Sequence, residues 1–336
     1  MSAHGRIALT CEEWISQEIS NGGSISFARF MELALYAPEV GYYTSCPGRV
    51  GRGGDFYTSV SVGSAFGVIL AGLYKEMWAA LGKPQKFVVV EQGADRGQLA
   101  NDVFQAASPD LLACLNYVIV EPLPVLQEIQ KSRLNSWPVQ WFDSLEALPE
   151  FEGVHFSNEL VDAFPFHLLC SNGSEWKEMR VVQGEDGFVF SESQISDQLA
   201  AMIGQFPMRP AGYLTEVRPA ANAWIGQVAA RLKRGFLLVL DYGLSREQLL
   251  REDRVRGTFA SFQSHRRDDN VLADPGQKDI TAHVDFTALA EAGQAGGLEA
   301  CGFCDQHHFL VGAATSLLKR LDGQLPNAAN AKFFQA

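Results

Sequence analysis

The sequence predicts an α/β protein with a doubly wound, Rossmann-like parallel sheet. From Lys86 onward, apolar runs alternate with helix-like segments, which is the order that builds a parallel sheet with helices on both faces. These runs lack the polar–apolar alternation of half-exposed strands, so they indicate strands that are buried on both faces. A turn that contains Gly93 and Gly97 follows the first run, as is typical where such a fold binds a nucleotide or cofactor.

Five core strands and four core helices are predicted, and a sixth strand near the C-terminus. The last segment, "LEACGFCDQHHFLVG", contains Cys301 and Cys304, and we interpret it as a strand rather than as a functional CxxC site. Within the polar stretch of residues 245–280, "REDRVRG" and "SHRRDDN" are predicted to be loop. The core strands lie in "KFVVVEQG", "NYVIVEP", "VQWFDSLEAL", "GVHFSNELVDAFP" and "FLLVLDYG", and the helices in "QLANDVFQAA", "LPVLQEIQKSRL", "AANAWIGQVAARLKRG" and "HVDFTALAEAGQAGG".

The chain is expected to extend this core at its N-terminus and to interrupt it once. Residues 1–84 are predicted to form a helical extension, with a helix capped by Ser26 and a glycine-rich loop whose segment Gly48–Ser59 acts as a mobile lid. Residues 85–315 form the core, with an insertion at about 166–212 that contains the hairpin "EWKEMRVVQGEDGFVFSES". Residues 316–336 are a C-terminal tail.

Composition excludes several classes of function. The formal net charge of −12 argues against a nucleic-acid partner, since binding to phosphates requires clustered Lys and Arg. The most apolar helix-like stretch, Val62–Tyr74, is too short to span a bilayer, so no membrane insertion is expected. No signal or transit peptide is visible, and we expect a cytoplasmic protein. The six cysteines do not resemble a disulfide framework, and no metal site is predicted.

Polar residues follow the first four core strands, where ligands bind in open α/β sheets. The carboxyl ends of parallel strands meet at one edge, so these side chains should line one electronegative rim. We predict that this rim binds the cofactor and the substrate. The candidates are Glu91, Gly93 and Gly97 after the first strand, Glu121 after the second, Asp143 after the third, and Asn158, Glu159 and Asp162 after the fourth.

Asp95 helps to decide which cofactor is bound. A dinucleotide-binding loop has glycine at this position, where the backbone approaches the pyrophosphate. A carboxylate beside phosphate would cost roughly 1–4 kcal/mol, whereas S-adenosylmethionine carries a sulfonium and an ammonium and lacks phosphate. Glu121 is placed to accept both ribose hydroxyls in either case. The acids therefore favour S-adenosylmethionine as the cofactor, with a nicotinamide-dependent oxidoreductase as the less favoured alternative.

Eight stretches resemble the MidA family of S-adenosylmethionine-dependent methyltransferases. They are "SFARFMELALYAPEVGYY", "GRGGDFYTS", "VEQGADRGQLANDV", "VEPLPVLQEIQ", "SNELVDAFPFHLL", "LTEVRPAANAW", "LVLDYG" and "DITAHVDFTAL". The resemblance implies a class I methyltransferase sheet and a protein arginine as the acceptor. Mitochondrial members of the family methylate an arginine of a complex I subunit, so a respiratory-complex subunit is an expected partner. In place of the family's Gly-Pro-Gly-x-Gly, this chain has Ala94 and Asp95.

Glu159 and Asp162 are the expected acceptor-side residues. Carboxylates can hold a guanidinium by paired hydrogen bonds and accept its proton. Three residues apart, the two would share a face if the segment turns helical, although Asp162 could instead cap a helix. Asp55 in the predicted lid is a further catalytic candidate, and His283 is expected to pack near a helix start. A donor-binding assembly factor with little catalysis remains an alternative.

Overall fold

The computed structural model describes residues 9–45, 64–264 and 266–321. The predicted lid, Gly48–Ser59, and with it Asp55, lies outside the described residues. The helices are α1 (Cys11–Gly22), α2 (Phe27–Tyr36), α3 (Tyr42–Ser45), α4 (Ala65–Ala80), α5 (Gln98–Ala106), α6 (Pro109–Leu112), α7 (Pro124–Arg133), α8 (Asp197–Met202), α9 (Pro219–Arg231), α10 (Arg246–Leu249), α11 (Phe286–Ala295) and α12 (Gln306–Leu321).

The strands of these segments form a parallel sheet of five strands, an antiparallel sheet of five strands and two smaller sheets. They are β1 (Ile25–Ser26), β2 (Phe87–Gln92), β3 (Leu115–Val120), β4 (Val139–Phe142), β5 (Phe151–Asn158), β6 (His167–Ser171), β7 (Trp176–Gly184), β8 (Gly187–Gln194), β9 (Leu214–Val217), β10 (Leu232–Leu240), β11 (Gly243–Leu244), β12 (Ala260–Gln263), β13 (Arg266–Asp268), β14 (Asp279–Thr281) and β15 (Val284–Asp285).

The central sheet confirms the predicted α/β class. Its five strands are parallel and lie in the order β10-β5-β2-β3-β4. In the register, Gln92 lies opposite both Val120 and Ser157, and Leu240 lies opposite Asn158. The strands therefore end at one edge, and the residues that follow them are brought together there.

Helices cover both faces of this sheet. On one face α4 and α5 pack Leu70, Tyr74 and Phe104 against the sheet residue Phe156. On the other face α9 and α11 pack Trp224, Ile225, Val228 and Leu289 against β2, β3 and β5. Both layers are apolar, which explains why the strands read as continuous hydrophobic runs.

A second, antiparallel sheet joins the N-terminal extension to the predicted insertion. The hairpin β7–β8 turns at Glu185 and Asp186 as predicted, and β1 pairs with β7. Ser26 caps α2 as predicted, because its side chain accepts a hydrogen bond from Arg29 N. Helices α1 and α2 bury their apolar faces against this sheet in a single hydrophobic cluster. The extension is thus fixed to the core through the insertion.

One sequence prediction is wrong, and another holds only in part. The strand predicted around Cys301 and Cys304 is absent: residues 298–305 lack regular structure, both thiols are exposed and free, and α12 begins at Gln306. Phe309 and Leu310 of this helix pack against the core cluster beside α4, and this contact favours a helix over the predicted strand. Of the two predicted loop segments, "REDRVRG" lies outside the helices and strands, whereas "SHRRDDN" contains β13.

One boundary also differs, because α9 ends at Arg231 and β10 begins at once, whereas a helix up to Gly235 was expected. Within the described segments, no helix has the length and apolar character needed to cross a membrane.

Candidate active site and cofactor pocket

A cavity of about 1560 Å³ opens at the carboxyl edge of the central sheet. We call one part the glycine-loop end; it is lined by Glu91, Gly93, Asp95, Glu121 and Leu123, among others. We call the other part the tyrosine end; it is lined by Tyr36, Tyr43, Asp162, Asp279 and Thr281, among others.

The glycine loop between β2 and α5 has a left-handed backbone at three positions. The φ angles are +79° at Gly93, +44° at Asp95 and +74° at Gly97. A Cβ at Gly97 would lie 3.1 Å from Leu134 Cδ1, so the loop sits tightly against the end of α7. Asp95 tolerates this conformation better than most non-glycine residues do. The departure at Asp95 therefore keeps the loop geometry while placing a carboxylate at the cavity.

Gln130 of α7, which no sequence prediction included, holds this end together. Its Nε2 donates to Asp95 O at 2.7 Å and to Glu121 Oε2 at 3.2 Å, and its Oε1 accepts from Trp141 Nε1 at 3.0 Å. The side chain is fully buried and ties together the ends of β2, β3 and β4. A neutral residue in the middle of a helix carries no sequence signal for such a role.

Glu121 reaches the cavity as predicted. Its Oε1 accepts a hydrogen bond from Leu123 N at 2.9 Å, and its Oε2 accepts from Gln130. Burial raises the pKa of this carboxyl to about 6, and the neighbouring Asp95 charge adds to the shift. Each carboxylate oxygen can accept a further bond, so a ligand hydroxyl would find an acceptor that is already fixed in place.

Glu91 lies deeper than the predicted rim. Its Oε2 accepts a hydrogen bond from Tyr117 Oη at 2.7 Å, and it is buried under the glycine loop. Burial raises its pKa to about 7, although the Tyr117 bond opposes the shift. Glu91 still lines the cavity.

Of the two remaining residues predicted on the donor side, one lines the cavity and the other does not. Asn158 lines the cavity at the end of β5. Asp143 is exposed and does not line it; its Oδ1 accepts a hydrogen bond from Gln127 Nε2 at 2.7 Å. The strand β4 therefore ends at the same edge of the sheet as the others, but the Asp143 carboxylate that follows it lies outside the cavity, next to α7.

The segment after β5 is a turn and not a helix, so Glu159 and Asp162 do not share a helical face. Glu159 has φ +51°, and its N–H donates to Leu240 O at 2.9 Å. The Asp241 carboxylate then accepts the N–H groups of Leu160 at 3.1 Å and Val161 at 2.8 Å. The segment begins with the left-handed backbone of Glu159 and ends at Pro165, both of which disfavour a helix, and the expectation that Asp162 might cap one is also wrong. Glu159 and Asp162 nevertheless both line the cavity.

Asp162 and Asp241 form a carboxyl pair beneath this turn. The Asp162 N–H donates to Asp241 Oδ2 at 3.4 Å, and Thr281 Oγ1 donates to Asp162 Oδ2 at 3.0 Å. Burial raises the pKa of both carboxyls, and for Asp241 the adjacent Asp162 charge raises it further. Two carboxylates this close cannot both ionise easily, because the charge of one raises the pKa of the other.

Arg218 is buried near the tyrosine end and does not line the cavity. Its guanidinium donates to four backbone carbonyls, at 3.0 Å to Phe164, 3.1 Å to Asp162, 3.0 Å to Ala282 and 3.3 Å to His283. Its charge opposes the rise in the pKa of Asp162 that burial causes. Arg218 thereby joins the turn after β5 to the segment that follows β14.

Two tyrosines from the N-terminal helices close the same end. The rings of Tyr36 and Tyr43 are stacked, with centroids 5.4 Å apart and an interplanar angle of 22°. Tyr36 Oη donates to Ala163 O at 2.9 Å, and Tyr43 Oη donates to Asp279 Oδ1 at 2.8 Å. Neither tyrosine was a predicted site residue, because nothing in the sequence places the extension beside the strand ends.

His283 and the aromatic residues complete the account of the predicted residues. His283 lines the cavity close to α11, and burial with nearby arginines lowers its pKa. The aromatic side chains of Trp141, Phe142 and Phe156 pack with the core clusters and do not line the cavity.

A Rossmann-like sheet with a glycine loop and an acid after the second strand defines a nucleotide- or S-adenosylmethionine-binding enzyme. The family model "Putative S-adenosyl-L-methionine-dependent methyltransferase" matches residues 69–304. Because this match covers more than half of the sequence, the chain belongs to this methyltransferase family, and the resemblance to MidA proteins is confirmed.

Solved structures show which cofactor the family fold binds. A crystal structure from Burkholderia thailandensis, bound to S-adenosyl-homocysteine, matches with a TM-score of 0.84 and 32% identity, covering 99% of this chain and 88% of that one. A second structure from this organism matches with a TM-score of 0.82 and 31% identity, over the same shares of the two chains. The cofactor is thus S-adenosylmethionine, as predicted, and a nicotinamide cofactor is not supported.

Curated relatives carry a more specific name. The human mitochondrial protein arginine methyltransferase NDUFAF7 is 29% identical over 329 residues, which cover 87% of this chain and 70% of the relative. The homolog from Drosophila melanogaster is 28% identical over 343 residues, with 92% and 75% covered.

The described residues fit the cofactor on their own chemistry. Three carboxyl groups, those of Glu91, Asp95 and Glu121, line the glycine-loop end and suit a ligand that carries positive charge. Glu121 would hold the ribose hydroxyls, and the loop from Gly93 to Gly97 would face the rest of the donor.

Proposed function

We propose that this methyltransferase transfers the methyl group to an arginine side chain of a protein, with Glu159 and Asp162 on the acceptor side. The observation that carries the proposal is the position of the turn that bears them. A Cβ on Gly93 would lie 3.3 Å from Leu160 Cδ1, so the turn touches the glycine loop directly. The turn that bears the two acids therefore contacts the glycine loop through Leu160, and both acids line the same cavity as Gly93.

In this reaction a guanidinium nitrogen forms a bond to the methyl carbon while the carbon–sulfur bond breaks. The methylated guanidinium keeps its positive charge, the sulfur product leaves neutral, and one proton must go to the protein. Asp162, when ionised, can accept that proton, because burial raises its pKa above the usual range. Glu159 would orient the guanidinium by hydrogen bonding, which localises its charge.

Further support comes from the relatives named protein arginine methyltransferases and from the acidic character of the cavity. The most direct candidate for an acceptor is a subunit of a respiratory complex, as the resemblance to the MidA family implies. A donor-binding assembly factor without turnover would bind the cofactor equally well, so the test must measure transfer.

The test uses donor labelled in its methyl group, with a bacterial extract as the source of acceptors. Wild-type protein should label a protein on arginine, identified by mass spectrometry. Glu159→Gln and Asp162→Asn should retain the calorimetric affinity for S-adenosyl-homocysteine and lose most of the transfer, about 100-fold or more if proton acceptance is rate-determining. Glu185→Gln, in the exposed hairpin turn, is the matched control and should behave as wild type.

Three results would reject the proposal. Label on a carboxyl or hydroxyl group would mean a different acceptor. Full transfer by both variants would mean different residues. Donor binding without any labelled protein would favour the assembly factor.

A further inference from the structure

We infer that Tyr36, Tyr43 and Asp279 form, together with Asp162, a slot that selects a guanidinium group over an ammonium group. The inference rests on the proposed arginine acceptor and identifies which further residues recognise it. Three of the four residues lie outside the turn after β5: the tyrosines belong to the N-terminal helices, and Asp279 begins β14.

The tyrosine pair supplies a flat wall. Tyr43 stacks on Tyr36, and hydrogen bonds to Ala163 O and Asp279 Oδ1 fix both hydroxyls. Tyr36 remains 36% exposed although it lines the cavity, so part of its ring is available to a ligand. A guanidinium is planar and weakly hydrated and stacks on aromatic rings, whereas an ammonium is a compact, strongly hydrated point charge.

The two acids lie beside this wall. Asp279 is 6% exposed and accepts from Tyr43, while Asp162 accepts from Thr281, which is on the same short strand as Asp279. Both carboxylates lie close enough to raise the pKa of the Tyr36 and Tyr43 hydroxyls. The two acids and the two hydroxyls therefore form one electrostatic group.

Several buried carboxylates share one guanidinium near this group. Asp162, Asp241 and Glu216 all interact with the buried guanidinium of Arg218, whose hydrogen bonds go to backbone carbonyls. Arg267, at the cavity wall, is paired with Asp269. A ligand cation would therefore be attracted, and two carboxylates can each accept from a different edge of a guanidinium fork.

The slot also explains why the extension is joined to the core. Tyr36 and Tyr43 reach the cavity because α2 packs on the sheet that the insertion completes. The extension and the insertion thus position part of the acceptor site, and they do not merely cover the core.

The probes are N-acetyl-arginine amide and N-acetyl-lysine amide, titrated into protein saturated with S-adenosyl-homocysteine. Wild type should bind the arginine probe about tenfold more tightly than the lysine probe. Tyr36→Leu should remove most of this preference. Asp279→Asn should weaken the arginine probe about three- to thirtyfold. Asp186→Asn removes the same charge in the exposed hairpin turn, outside the cavity, and should change neither affinity.

Tyr43→Phe tests the slot without removing the ring. It deletes only the hydroxyl that donates to Asp279, so it should fold, and its effect should fall between those of wild type and Asp279→Asn. All variants should keep the affinity for S-adenosyl-homocysteine. In a transfer assay with labelled donor and an arginine acceptor, the KM of these variants for the acceptor should rise while kcat changes little. A general loss of structure would not produce this pattern.

The outcomes separate this inference from the proposed function. If wild type methylates arginine, but Tyr36→Leu and Asp279→Asn bind the probes as the control does, the slot is wrong and the proposed function stands. Equal affinity of wild type for the two probes, or failure to bind the arginine probe, also overturns the slot. Methylation of a residue other than arginine overturns both.

Discussion

Replacing Gln130 with leucine should damage the cofactor site and the fold together. The substitution retains approximate size and removes every polar atom of a fully buried side chain. It deletes hydrogen bonds to Asp95 O, Glu121 Oε2 and Trp141 Nε1, with lengths of 2.7, 3.2 and 3.0 Å.

The expected loss of stability follows from these three bonds. A net hydrogen bond contributes about 0.5–1.5 kcal/mol, and a buried partner left unpaired costs about 1–3 kcal/mol. Trp141 Nε1 and Asp95 O both lose a partner, while leucine regains some apolar burial. We expect the free energy of unfolding to fall by about 2–4 kcal/mol. The affinity for S-adenosyl-homocysteine should fall about tenfold, because the glycine loop loses its tether and Glu121 loses a donor.

Urea unfolding and calorimetry measure the two effects. Lys131→Leu, on the exposed side of the same helix, is the matched control; its ion pair with Glu128 lies on the surface, and its loss should cost less than about 1 kcal/mol. An unfolding free energy within about 1 kcal/mol of wild type, together with unchanged affinity, would show that Gln130 does not organise this end of the cavity.

Two further predictions concern acids of the glycine-loop end. Glu121→Ala should weaken binding of S-adenosylmethionine by about 1–3 kcal/mol in calorimetry, and unchanged affinity in a folded variant would reject its placement on the ribose. Glu91 has a pKa raised from 4.5 to about 7 in the folded protein, so the folded state binds more protons than the unfolded state between these values. Its contribution to stability is therefore complete below pH 4.5 and is lost as the pH rises towards 7. Glu91→Gln should flatten the decline of the unfolding free energy across this range, and an unaltered slope would assign that decline to other groups.

Much of the glycine-loop end could be predicted from the sequence, because each of its residues closely follows a strand along the chain. The run before Glu91, the glycines at positions 93 and 97 and the acid at 121 each follow a strand that is visible as an apolar run. The parallel pairing then brings the strand ends together without further information.

The tyrosine end could not be predicted in the same way, because the residues that are in contact there lie far apart in the sequence. Glu159 and Asp162 were placed on a possible helix, but Glu159 has a left-handed backbone, and Leu240 and Asp241 hold the segment as a turn. No periodicity within the segment predicts these contacts with a distant strand. The sequence predicts that Tyr36 lies in a helix but does not predict that it reaches the cavity, because its partner Ala163 lies 127 positions away.

The hydrogen bonds of Arg218 and Thr281 also set an order of assembly on the ribosome. The central sheet has all its strands once Leu240 has been synthesised. The carbonyls of Ala282 and His283 that receive Arg218, and the hydroxyl of Thr281 that meets Asp162, 119 residues earlier, come later. Until then the Arg218 side chain lacks half of its carbonyl partners, and burying it would be costly. A nascent chain can therefore complete its central sheet before the hydrogen bonds of Arg218 and Thr281 form, and domains that fold during synthesis pass through such incomplete states. The tyrosine end, which the proposed function assigns to the acceptor, is then the last part of the active site to form.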